Sequence, residues 1–173
     1  MCIPQLAVVN DNRTPAGMVR GGVRQIHLEA SVTRWLPDDG DDSTLTVQAF
    51  AERDGVPRIP SPLVRVTQGD SVQVTIVNVV PDSNLVLHGS PLGGDSIVIP
   101  RGESRTVTFT AAVPGRSRTG RRPAARSSGS GLAPMRNSPG AVVIDPAGTV
   151  PDTSERIFVI TMMDVLPTRR SRS

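Results

Sequence analysis

Two histidines, one cysteine and no tyrosine set narrow limits on the chemistry this chain can perform. His88 is the foremost candidate ligand. It ends an extended segment and is followed by Gly89, so an imidazole stands at a sheet edge where the backbone can bend close to a ligand. A single imidazole holds a metal weakly, because durable sites use three or more convergent donors. His27 falls on the polar side of its segment, out of phase with Ile26 and Leu28, and reads as a solvated surface residue. Cys2 precedes every strand signal, and Met162-Met163 closes a segment where packing explains both residues. Asp38, Asp39, Asp41 and Asp42 share one loop, but their spacing is not that of a calcium loop, so a solvated acidic turn is expected. No paired-carboxylate or nucleophile motif accompanies the two histidines, and hydrolytic chemistry has no support.

The elements that would position His88 are short strands. Val72, Val74 and Ile76 alternate with Gln73 and Thr75 after a Gly69-Asp70 turn, the pattern of a strand with one apolar face. Similar signals occur at 25–32, 45–50, 64–66, 71–79, 84–88, 96–99, 105–111, 141–144 and 156–162. Nine closely spaced strands without a helical pattern predict an all-β domain, a two-sheet antiparallel Greek-key sandwich. The 173 residues suit one well-buried domain. With one Trp and three Phe, its core must rest on Val and Ile, and marginal stability is expected. The predicted organisation is an extended N-terminal segment over 1–24, the sandwich over 25–163, and a disordered basic tail over 164–173.

Charge is unevenly spread. All nineteen basic residues are arginine; six lie between Val113 and Ser138, a stretch without acids, and three more lie in the tail. Without those nine, ten arginines face sixteen acids, so the rest of the chain stands at −6. Residues 116–138, rich in Arg, Ser, Gly and Pro, are expected to form an irregular insert, read as a flexible loop rather than a nucleic-acid arm. The lone Cys2 permits no intrachain disulfide. No signal peptide and no apolar run of membrane-spanning length is found.

Several ordered motifs resemble the N-terminal plastocyanin-like (cupredoxin) domain of bacterial multicopper oxidases. Pro62-Leu63-Val64-Arg65-Val66, Gly69-Asp70 and the strand to Asn78 match the opening strands of that family. His88-Gly89 matches the end of a His-X-His-Gly element. Ile99-Pro100-Arg101-Gly102-Glu103-Ser104, Val107-Thr108-Phe109 and Pro114-Gly115 match the element that follows, and Gly140 to Pro146 matches the closing strand. Asn10-Asp11-Asn12-Arg13 and Pro15-Ala16-Gly17 resemble the leader of one bacterial subgroup.

The resemblance implies copper as cofactor, a three-copper cluster shared between domains, dioxygen reduction, and two His-X-His pairs from this domain. It also implies a secreted or periplasmic location, with further cupredoxin domains of a longer chain or an oligomer as partners. Residues two apart on a strand point the same way, which is the physical cause of that spacing. Here Val86 stands where the partner of His88 is expected, and Arg116-Ser117-Arg118-Thr119 follows Pro114-Gly115 in place of a second pair. A blue-copper site is excluded, since no Cys-x-His-x-Met arrangement exists. The isolated chain is accordingly expected to be catalytically inactive, with a metal-free cupredoxin-like binding or interaction module as the alternative. The composition of 116–138 and of the tail from Thr168 is that of GC-rich coding read out of frame; a natural subgroup with reduced ligands is the other explanation.

Overall fold

A computed structural model of the chain describes residues 4–37, 44–87, 96–119, 136–137, 139–152 and 154–159. The described chain is all β, with no helix. Its strands are β1 (Val8–Val9), β2 (Met18–Arg20), β3 (Val23–Trp35), β4 (Leu45–Glu52), β5 (Arg58–Ile59), β6 (Ser61–Thr67) and β7 (Ser71–Asn78). They continue with β8 (Leu85–Leu87), β9 (Ile97–Ile99), β10 (Ser104–Thr110), β11 (Gly115–Thr119), β12 (Arg136–Asn137) and β13 (Gly140–Asp145). The larger sheet runs β1-β5-β4-β3-β7-β10, with β2 beside β3 and β12 beside β4. A smaller sheet runs β11-β13-β6, and β8 pairs with β9.

The sandwich core forms where the alternation of β7 meets the smaller sheet. Val72, Val74 and Ile76 turn inward with Ile26 and Ala30 of β3. Val64, Val66 and Val142 meet them from β6 and β13, and Leu85, Leu87 and Ile99 from the β8–β9 pair. Phe50 and Phe109 join as half-buried rings, so aliphatic side chains carry this core as expected. The sandwich is mixed rather than wholly antiparallel. β3 runs parallel to β7 from Val23 opposite Ser71 to His27 opposite Thr75, and β6 runs parallel to β13. The second pairing explains the unbroken apolar run Ala141-Val142-Val143-Ile144, because parallel strands covered on both faces have no polar side to display. Val142 faces the main core, while Ala141 and Val143 pack with Leu63 under Ile157 and Val159.

Residues 5–9 close one end. Ala7 N–H donates to Arg34 O at 2.7 Å and Arg34 N–H donates to Gln5 O at 3.0 Å, before Val8 and Val9 pass onto β5. Ala7, Val47, Ala49 and Ile59 pack there with Trp35 and Leu45, on the face of β4 opposite Phe50. Nearby residues of the N-terminal segment are also tied in. Asn10, Asn12 and Ala16 are buried, and Ala16 N–H donates to Leu63 O. Gly17, at φ 74°, brings its backbone so close that a Cβ would stand 2.2 Å from Gln25 O.

The 156–162 strand prediction needs correction over the residues described. Arg156 and Phe158 face out while Ile157 and Val159 face in, so the period of two is present. Residues 156–159 nevertheless join no ladder; they lie over Leu63, Ala141 and Val143 and are held by side chains. In the stretch expected to be an irregular insert, residues 116–119 belong to β11, antiparallel to β13 from Gly115 opposite Ile144 to Thr119 opposite Gly140.

Candidate metal centre

The strand that leads to the candidate ligand is well anchored. In β8, Leu85 and Leu87 are buried in the core, while Val86 lies half-buried on the other face opposite exposed Val98 of β9. Asn78, fully buried at the end of β7, fixes this hairpin to the larger sheet. Its Nδ2 donates to Ser83 O and to Ile99 O, each at 2.9 Å, and its Oδ1 accepts Val80 N–H at 3.0 Å. One side chain thus bonds three backbone groups, among them the N–H of buried Val80, which a hydrophobic residue at this position would leave without that partner.

His88 itself lies outside the described residues, as do Cys2, Met162, Met163 and the acidic cluster Asp38, Asp39, Asp41 and Asp42. His27 is described: it is exposed on the outer face of β3, between buried Ile26 and half-buried Leu28. That agrees with its reading as a solvated residue. Among the described residues, no three His, Cys, Asp or Glu side chains gather closely enough to hold a metal ion. Val86 brings no donor, and at β11 Arg116 turns its guanidinium to Glu155. With two histidines and one cysteine in the whole sequence, the donors present do not make a complete copper centre.

What the described residues do assemble is a charge cluster that the sequence alone did not reveal. Arg65 of β6 forms a two-pronged fork with Asp145 of β13: Nε to Oδ2 at 2.7 Å and Nη2 to Oδ1 at 2.9 Å. Nη2 also reaches Glu155 Oε2 at 2.9 Å, and exposed Arg116 pairs with the second oxygen of Glu155. The hydrogen bond to Asp145 is the main reason that Arg65 holds its proton more tightly than an ordinary arginine. Arg65 and Asp145 each stood in a recognisable motif; the missing information was the parallel pairing that puts Arg65 beside Val143. Every charge here faces an opposite one, so the cluster is built to clamp β6, β13 and the 155–159 segment together rather than to take a ligand.

No family model matches the chain, and no curated protein matches it. Among solved structures, the copper nitrite reductase of Nitrosomonas europaea is 28% identical, with a TM-score of 0.53 over 73% of this chain and 42% of that one. A multicopper oxidase matches at 19% identity and a TM-score of 0.54, covering 83% of this chain and 50% of its own. The blue copper oxidase of Nitrosomonas europaea matches at 20% and 0.53, over 75% and 41%. The chain therefore spans half or less of the length of these proteins. The two more distant likenesses speak to the fold alone, which is of the cupredoxin type.

Proposed function

We propose that this cupredoxin-type domain is the first plastocyanin-like domain of a multicopper oxidase, supplying fold and at most one copper ligand, His88, to a cluster completed elsewhere. The observation that carries this reading is the 28% identical likeness to a copper nitrite reductase, which takes in 73% of this chain but 42% of that protein. A match of that extent is what one domain of a several-domain copper protein would give. Copper, if held, would supply electron transfer, and this chain would lend the scaffold: the β8–β9 hairpin pinned by Asn78 and packed through Leu85 and Leu87. On this reading the partners are further cupredoxin domains of a longer chain or an oligomer, and the setting is periplasmic or extracellular. Oxidase activity would not reside in this chain.

The donor-poor β11, where Arg116 is engaged by Glu155, favours a second reading: a metal-free cupredoxin-like interaction module. Copper(II) titration of the purified chain, followed by electron paramagnetic resonance and oxygen uptake with an added reductant, separates the two. The first reading expects one weak imidazole-ligated signal, lost in His88→Ala, and no oxygen consumption. No specific signal selects the metal-free module. A signal that survives His88→Ala, or turnover by the isolated chain, overturns the proposal.

A further inference from the structure

β10 is the outer strand of the larger sheet, and among the described residues it pairs with β7 alone. The direction of its backbone groups follows from the ends of that pairing. Ala111 N–H donates to Asp70 O and Asn78 N–H donates to Glu103 O, each at 2.9 Å, so the odd-numbered residues bond inward. By the alternation of an antiparallel ladder, Thr106, Thr108 and Thr110 turn their N–H and C=O groups to the open edge. Their side chains are exposed on the outer face, while Val107 and Phe109 lie half-buried on the inner one.

Open edges in soluble proteins usually carry a charge, a proline or a bulge that discourages pairing. From Thr106 to Thr110 this strand has none of these: the sequence is Thr-Val-Thr-Phe-Thr, all good strand formers, in unbroken register with β7.

We propose that β10 is a self-association edge, at which two copies of the chain pair antiparallel about a two-fold axis at Thr108 and extend the larger sheet across both molecules. The occupant is argued from the strand's complementarity to itself. About Thr108, each Thr106 meets a Thr110 and each Val107 meets a Phe109, and both are favourable cross-strand pairs. The same register puts the outward-facing even residues opposite one another, as the free hydrogen-bonding groups require. Arg105 then falls opposite Ala111, and the two Arg105 side chains stand roughly 20 Å apart at strand spacing, so no like charges meet. This inference stands apart from copper and would hold under either reading of the function.

The test is sedimentation velocity of the full chain over a wide concentration series, with Thr108→Pro alongside. Its N–H faces outward, so proline removes no bond to β7 but deletes the two central intermolecular bonds. A concentration-dependent dimer weakened at least about tenfold by Thr108→Pro, with an unchanged far-ultraviolet spectrum, is the expected result. A second variant, Thr108→Cys in a Cys2→Ser background, keeps the test decisive if proline disturbs folding. Directly opposed residues lie about 5.5 Å apart at Cα, within disulfide reach, so mild oxidation should yield a covalent dimer. A chain that stays monomeric throughout and forms no crosslink at 108 overturns the proposal. So does a dimer indifferent to Thr108→Pro, which would assign the contact to another surface.

Discussion

Replacing Arg65 by alanine is expected to destabilise the domain by about 3 kcal/mol. The estimate starts from three charge-assisted hydrogen bonds, two to Asp145 and one to Glu155, on a guanidinium whose side chain is 13% exposed. Breaking a fully buried pair costs about 3–5 kcal/mol, while surface pairs contribute about 0–1. Low exposure of all three partners places Arg65 near the bottom of the buried range, and Arg116 stays on Glu155 to offset part of the loss. For a domain of this size the melting temperature should fall by about 6–12 °C. Urea unfolding followed by Trp35 fluorescence and circular dichroism would measure the difference. A double-mutant cycle with Asp145→Ala should return about 2 kcal/mol of coupling. The raised pKa of Arg65 means that its contribution is complete below the ordinary arginine value and is lost only as pH rises through a still higher one. Its share is therefore flat across the usual working range. A cost below about 1 kcal/mol, or coupling within about 0.5, would refute the clamp and leave the cluster a surface feature.

Asn78→Ala should destabilise by about 3 kcal/mol, since it leaves Val80 N–H and the carbonyls of Ser83 and Ile99 without their partner beside a buried void; an equilibrium unfolding curve close to wild type would contradict this. Asp152 accepts hydrogen bonds from the Ser154 hydroxyl and backbone N–H, which hold its carboxyl below the usual 3.8. Its contribution is thus present above that ordinary value and is lost as pH falls through the lowered one. An Asp152 carboxyl-carbon titration by nuclear magnetic resonance should find the lowered midpoint and lose the depression in Ser154→Ala; a midpoint at or above the ordinary value would contradict it.

The strands legible in the sequence are those with an apolar face, such as β3 and β7, or an unbroken apolar run, such as β13. The alternation from Val72 to Ile76 marks β7, although Asn78 continues the inward phase as a polar residue whose three bonds no local pattern announces. Partner choice is the part that stays hidden. Nothing near Ser61 tells β6 to lie parallel to β13, and without that pairing Arg65 and Asp145 look like unrelated charges. β11 escapes notice for a related reason. Its Arg and Ser side chains give no apolar signal, and the strand is defined by backbone bonding to β13. His88 was the clearest site signal in the chain, and it lies outside the described residues, so its role rests on the proposal above.

The partnership of β6 with β13 also bears on synthesis. Arg65 waits 80 positions for Asp145 and 90 for Glu155, and a similar interval separates Leu63 from Ala141 and Val143, which pack against it. Contacts so distant along the chain close late and slowly. A nascent polypeptide halted before the closing strand would hold a larger sheet with its oily underside open, and would be prey to proteases and aggregation rather than a smaller working unit.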